Sequence, residues 1–435
     1  MSIDPAQQIA CRTCGRLLNR YLDLDTGQAH YTHPTSERAD HDPDPVPADQ
    51  IDTHHVCDFC SDDKIVYTFR VNPVEMVVIA DTEQLIQRYG SNWSACIECA
   101  DLVQARDVPR LSARIMRAGV PFDPQVIDNL HTMQQAVVDS VLPGRALATI
   151  GHWQPTPLPA PILPKIRDRL AQLIRSHDEL PLGLNNTDLR DQLAASLDAA
   201  RLYWIDREFT ELTTHAAASL PTTTVTAADA PAPHGLIAWA QPVGHRADLT
   251  AATWTTNPDG IRIICYRSIG TGLSAGPLQR LREQVGWLLP HYTTHLRPDD
   301  VIDTTSPASA VIATWLLIGQ KLTETTTVTA DKAIRKAYQR TGRPAPEVRL
   351  VRIRGTATTA NTHTDRQPTN QPGREHQYRW WVRGHWRNQP YGPGRTQRRL
   401  IYLDPQIRGP EDKPIKASTT VRILGTTRRN GTEHS

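Results

Sequence analysis

The chain has 435 residues, enough for two to four domains, and a net charge of +2 from 48 Lys+Arg against 46 Asp+Glu. No run approaches the roughly 18–20 uninterrupted apolar residues of a membrane span. The start, MSIDPAQQIACRTC, has no basic segment leading into an apolar one, so a cytoplasmic chain without a secretory signal or membrane span is expected.

Near-neutrality conceals an asymmetry. Residues 331–435 hold 22 Lys+Arg and 8 Asp+Glu, whereas residues 1–330 hold 26 and 38. A basic tail on an acidic body points to a polyanionic partner for the tail, or to the tail docking on its own body. The cations are 41 Arg and only 7 Lys, which favours bidentate phosphate chemistry where they cluster.

Residues 1–118 read as a zinc-binding module. Six of the seven cysteines form the pairs Cys11/Cys14, Cys57/Cys60 and Cys96/Cys99. Tetrahedral zinc takes four soft or borderline ligands, and CxxC supplies two from one tight turn. In a reducing compartment such pairs read as metal ligands before disulfides. The best pairing is Cys57, Cys60, Cys96 and Cys99, with a strand at 65–71 (IVYTFRV) between the pairs and a helical stretch at 100–118, interrupted near Pro109, after them. This order of knuckle, strands and ligand pair at a helix start resembles a treble-clef zinc finger. Cys11 and Cys14 need two partners from His30, His33, His41, His54 and His55. His33 and His41 are chosen because both lie in a Pro/Asp-rich loop beyond the turn at Gly27; His54 with His55, or a free dithiol, are the alternatives. One or two structural zinc ions follow. Neither HExxH nor a deaminase-type HxE with PCxxC is present, so catalytic zinc is not expected.

Residues 119–220 read as a helical region with a Pro-rich connector. Val126, Ile127, Leu130, Met133, Val137, Val138 and Val141 give a helix over 124–141. The connector is 152–164 (HWQPTPLPAPILP). One helix follows at 166–174, and another opens at Thr187 (TDLRDQL) and runs through Leu202 toward Phe209.

Residues 221–330 read as a mixed α/β domain. A buried strand is expected at 236–240 (LIAWA), and a hairpin at 253–266 turning at Asn257-Pro258-Asp259-Gly260, with Cys265 an inert core thiol. Gly270, Gly272 and Gly276 fall short of a GxGxxG fingerprint, since Ala275 stands where the third glycine belongs, so a plain loop is expected. Helices are expected at 278–289 and, strongly apolar and buried, at 308–322.

Residues 331–435 read as a basic antiparallel β region, opened by a short helix with a positive face at 331–340 (DKAIRKAYQR). Strands are expected at 347–354, 378–388, 398–403 and 420–424, with a polar loop over 356–375. In 378–388 (YRWWVRGHWRN), a period of two places Arg379, Trp381, Arg383, His385 and Arg387 on one face. With Tyr391, Arg395, Arg398 and Arg399 these side chains suit phosphates and bases, so the expected partner is nucleic acid, RNA before DNA. Two alternatives stand beside this. One is a ribonuclease with His385 as acid/base, partnered by His363, His376 or Asp404; the other is an adaptor or inhibitor whose acidic body holds a protein partner. The fold class is α+β: a treble-clef-like zinc module, a helical middle, and a C-terminal mixed α/β part with a basic antiparallel sheet.

The run RGHWRNQPYGPG…RRLIYLDPQIRGPEDKP resembles the C-terminal module of uncharacterised phage- and plasmid-associated proteins of high-GC bacteria. CDFC with WSACIEC resembles a zinc-binding module recurring in hypothetical proteins of the same bacteria. More distantly, the RGH-x-R strand resembles an anti-CRISPR group, and that likeness implies lowering of the messenger RNA of a target nuclease. The resemblances imply a regulatory or anti-defence protein of a mobile genetic element, and they supply no catalytic residues.

Overall fold

In a computed structural model of the chain, residues 8–408 are described except 24–25, 35–38, 52, 81–82, 117–123, 245–247 and 355–379; Pro410 and Pro414 are described as well. The chain forms two compact units, Met1–Ile353 and Arg354–Ser435. Helices and several sheets make it a mixed α+β protein.

The first unit begins with four short strands, β1 (Ile9–Cys11), β2 (Asn19–Asp23), β3 (Ala29–Thr32) and β4 (Pro45–Pro47). β1 pairs with β4 and β2 with β3, both antiparallel. Next come β5 (Ile65–Arg70), β6 (Val74–Ala80), β7 (Glu83–Tyr89) and β8 (Asn92–Cys96). β5 pairs with β8, and the β6–β7 hairpin is an excursion between them whose β7 pairs back onto β2. Helices α1 (Ile97–Ala105), α2 (Val108–Met116) and α3 (Pro124–Asp139) follow, with β9 (Ala146–Leu147) closing on β5. The interruption expected near Pro109 falls just before it. Arg106 ends α1 in the left-handed region (φ 53°), and Pro109 occupies the first turn of α2, where its missing N–H costs nothing.

The remainder of this unit is built on one seven-stranded sheet. In chain order its elements are α4 (Leu163–Arg175), α5 (Thr187–Ala199), β10 (Arg201–Ile205), α6 (Arg207–Ala217), β11 (Thr223–Thr224), β12 (His234–Val243), β13 (Leu249–Asn257), β14 (Gly260–Ser268), α7 (Ala275–Gln284), β15 (Leu288–Leu296), β16 (Val301–Ile302), α8 (Ser309–Ile318), β17 (Thr323–Val328), α9 (Lys332–Arg340) and β18 (Val348–Ile353). The sheet order is β15-β14-β13-β12-β10-β18-β17, and β10 lies parallel to both neighbours. Its core is aromatic: Trp239, Trp254 and Trp315 are fully buried, with the Trp254 and Trp315 rings 5.1 Å apart.

Three expectations are corrected here. The helix read from Thr187 toward Phe209 stops at Ala199, and 201–205 (RLYWI) is a central strand. Leu202, Tyr203 and Ile205 are buried between parallel neighbours, and a short strand buried on both faces cannot be told from a helix by periodicity. A new helix starts after Asp206, whose carboxylate accepts from the Phe209 N–H at 2.8 Å. The helix read over 278–289 ends at Gln284. Gly286, at φ +101°, returns its N–H to the Leu281 carbonyl (2.9 Å), and Leu288 then opens β15. The strand read over 347–354 as part of the basic sheet is β18 of the main sheet, where Val348 and Val351 are buried and Arg352 pairs with Glu324 (3.1 Å).

The second unit carries β19 (Trp380–Val382), β20 (His385–Tyr391), β21 (Gln397–Leu403) and β22 (Gln406–Arg408). Among the described residues these form two separate antiparallel pairs, β20 with β21 and β19 with β22, rather than one sheet of about four strands. The strand read over 378–388 is broken at Arg383-Gly384. A Cβ on Gly384 would stand 2.3 Å from the Tyr402 hydroxyl, so the ring closes over a position that tolerates no side chain. The expected loop at 356–375 and strand at 420–424 lie outside the described residues.

Candidate metal centres and a candidate nucleic-acid interface

Cys57 and Cys60 sit on a turn closed by Ser61 N–H to the Cys57 carbonyl (2.8 Å), with Ser61 itself left-handed. Cys96 ends β8 and caps α1; Cys99 lies in that helix's first turn. Pairing of β5 with β8, Ile65 opposite Cys96, carries the second pair to the first. All four sulfurs lie within 4.8 Å of one another, and Cys60 and Cys96 are 3.8 Å apart. Sulfurs at about 2.3 Å from the centre of a tetrahedron stand about 3.8 Å apart, so the group could hold a metal ion.

A guanidinium completes this group. Arg114 of α2 points Nη2 at the Cys60 and Cys96 sulfurs (3.8 and 3.7 Å) and pairs Nη1 with Glu98 at 2.7 Å. Glu98 also binds Arg280 of α7 at 3.0 Å. Hydrogen bonds from Cys57, Cys96 and Cys99 hold the Cys60 thiol far below its ordinary value. Burial opposes the Arg114 charge, but the Cys96, Cys99 and Cys60 sulfurs outweigh it and push its pKa up. Nothing in the spacing pointed to Arg114, because it arrives from the next helix.

The second group is built from the N-terminal strands. Cys11 ends β1, and a turn closed by the Gly15 N–H to the Cys11 carbonyl (2.8 Å) presents Cys14 beside it. Cys11 Sγ lies 3.4 Å from His41 Nε2, and Cys14 Sγ lies 3.5 Å from His33 Nε2. Ligands at about 2.3 Å (S) and 2.0–2.1 Å (N) from one ion stand about 3.6 Å apart. All four donor atoms lie within 4.8 Å, so this group too could hold a metal ion. His41 Nδ1 meets Asp40 at 3.0 Å, which fixes the ring with Nε2 toward the cysteines. Burial raises the Cys11 thiol, but backbone hydrogen bonds at Asp44, Cys14 and Thr13 and the His33 side chain bring it down to about 5. The alternative ligands are placed elsewhere: His54 stacks on His152 (4.6 Å), and His55 bonds Thr53 (2.7 Å).

The β20–β21 register sorts the basic residues. His385, Arg387, Gln389 and Tyr391 face the same way as Leu403, Ile401, Arg399 and Gln397. Trp386, Asn388 and Pro390 share the other face with Tyr402, Leu400 and Arg398. Trp386 and Tyr402 meet edge-on at 5.2 Å and give that second face its packing. Arg398 therefore does not share a face with Arg399. On the first face the Arg399 guanidinium lies 5.9 Å from the centre of the exposed Tyr391 ring, and Arg387 bonds Gln389. Arg383 is exposed at the strand break, and Arg395 sits left-handed in the turn. Among the described residues no carboxylate pairs with Arg383, Arg387, Arg395, Arg398 or Arg399. Arg379 lies outside the described residues, and of Trp381 only the backbone is described. His385 bonds the Arg383 carbonyl at 3.0 Å.

Residues 294–409 match the AcrVA2-like family, described as the anti-CRISPR type V subtype A2 family. The match supports the anti-CRISPR likeness carried by the RGH-x-R strand, and it covers a little over a quarter of the chain. The matched segment takes in the end of β15, then β16, α8, β17, α9 and β18 of the first unit and all four strands of the second. Both cysteine groups lie outside it. No curated protein and no solved structure matches the chain. No helix among the described residues is long and apolar enough to cross a membrane.

Proposed function

We propose that this chain is a zinc-stapled nucleic-acid-binding protein, directed at RNA, that serves a mobile genetic element against host defence. The observation that carries the reading is the open face of the β20–β21 hairpin. There His385, Arg387, Arg399 and Tyr391 stand together without a carboxylate among the described residues. A guanidinium beside an exposed tyrosine ring can reach a phosphate while the ring stacks on a base. The anti-defence role takes its support from the match over 294–409. Binding is favoured over cleavage because, among the described residues, the neighbour bonded to His385 is a backbone carbonyl, not an acid or base; His363 and His376 lie outside the described residues.

Four phosphate contacts on a single strand, from Arg383, Arg387, Arg395 and Arg399, give a salt slope of about −3, so raising salt from ~50 to ~300 mM should weaken binding about 200-fold. Arg387→Ala with Arg399→Ala should make that slope shallower by about 1.4. Fluorescence anisotropy on labelled single-stranded RNA and DNA measures both. An affinity that ignores salt, or a slope the double variant leaves intact, removes the hairpin from the interface.

The metal is proposed to be zinc, since both donor sets are sulfur or sulfur with imidazole. Arg114 then offsets the charge of four thiolates and orients two of them. Arg114→Ala should lower metal affinity about 10–100-fold, as loss of an outer-sphere partner does. Competition against a chromophoric chelator reads this, and an unchanged affinity denies Arg114 the role.

A further inference from the structure

We infer that the exposed face of α9 is a second, independent phosphate-binding surface, built into the first unit and separate from the hairpin. Lys332, Arg335, Lys336 and Arg340 are all exposed along its nine residues, and Arg343 follows just beyond its end. No acidic residue occurs from Lys332 to Ala345, within a chain whose first 330 residues carry more acids than bases. Among the described residues none of these five cations meets a carboxylate: Arg335 bonds the Ala330 carbonyl (3.1 Å), and Arg343 lies over the Tyr338 ring (5.3 Å).

The helix is held firmly from behind. Ile334 and Tyr338 are buried against Ile162 and Ala345. The Tyr338 hydroxyl donates to Asp168 at 2.5 Å and accepts from Arg167 at 2.7 Å, both on α4. A short helix with so many cations would be marginal alone; this anchor fixes its face in place. Lys332, Lys336 and Arg340 then form a stripe about 12 Å long at ~1.5 Å rise per residue, long enough to face several successive phosphates of one strand.

The composition favours nucleic acid over an acidic protein. Protein interfaces place aromatic and apolar anchors at the centre and deplete lysine there. This face offers only Ala333 and Ala337 as apolar residues. A row of Lys and Arg with no anchor reads charge, not shape, which is what a phosphodiester backbone presents.

The test uses the full chain carrying Lys332→Glu, Lys336→Glu and Arg340→Glu. A milder Lys332→Gln, Lys336→Gln and Arg340→Gln variant and thermal melts guard against a folding defect. Probes are labelled single-stranded RNA and DNA of about 20 nucleotides. The expected result is a salt slope shallower by about 2 in the glutamine variant, with a further loss of affinity in the glutamate one. A slope equal to the parent's in a folded glutamate variant overturns the inference while leaving the hairpin reading intact. Loss in the α9 variants with none in Arg387→Ala/Arg399→Ala sustains it and removes the hairpin; no binding by the parent chain removes both.

Discussion

Cys96→Ser, or exhaustive chelation, is expected to unfold the N-terminal half of the first unit. Cys96 is the junction of β8 and α1, and the turn at Cys57 and Cys60 docks on the same strand pair. Phe59, Trp93, Ile97, Leu111 and Val137 pack around the sulfurs as one buried cluster. That cluster runs on without a gap to Leu163, Leu170, Leu236 and Ile264, so the damage should spread toward the main sheet. Ordered zinc at such sites contributes about 10–16 kcal/mol in small domains, which matches or exceeds the ~5–15 kcal/mol by which whole proteins are stable. Near-ultraviolet circular dichroism and limited proteolysis, with and without chelator, would show it. A chelated protein that keeps its melting temperature and protease resistance would refute the structural role of the metal.

Trp254→Ala should cost about 3–5 kcal/mol. Its ring lies on Gly235 of the neighbouring strand so closely that a Cβ there would stand 2.1 Å from it. It packs on Trp315 at 5.1 Å and Tyr203 at 5.9 Å, and its Nε1–H donates to the Ala232 carbonyl at 2.7 Å. Truncation leaves a hole lined by rigid rings and strands that cannot collapse into it. The urea midpoint of the first unit should fall with an unchanged slope; a shift worth under about 1 kcal/mol would mean that the site relaxes freely.

Much of this was legible in the sequence where chemistry fixes spacing. CxxC pairs name their own turns, and the Asn257–Gly260 turn delimits its hairpin. Other features were illegible for definite reasons. The strand at 201–205 lacks alternation because both its faces are covered. The break at Gly384 leaves the alternation intact across it: exposure still alternates from Arg383 to Arg387, so nothing in the pattern marks the change of partner. Whether Arg398 or Arg399 joins Arg387 depends on which residue of β21 lies opposite Tyr391, and that is set by the turn geometry. Arg114 reaches the sulfurs through helix packing, which no spacing rule records.

The pairing of β2 with β7 sets a schedule for synthesis. Leu22 finds its neighbour Ile86 only after sixty-odd further residues have left the ribosome, whereas Cys11, Cys14, His33 and His41 are all in hand within the first forty-one. The proposed N-terminal metal group can thus close early and wait, its strand edge uncovered, until the later hairpin arrives to seal it.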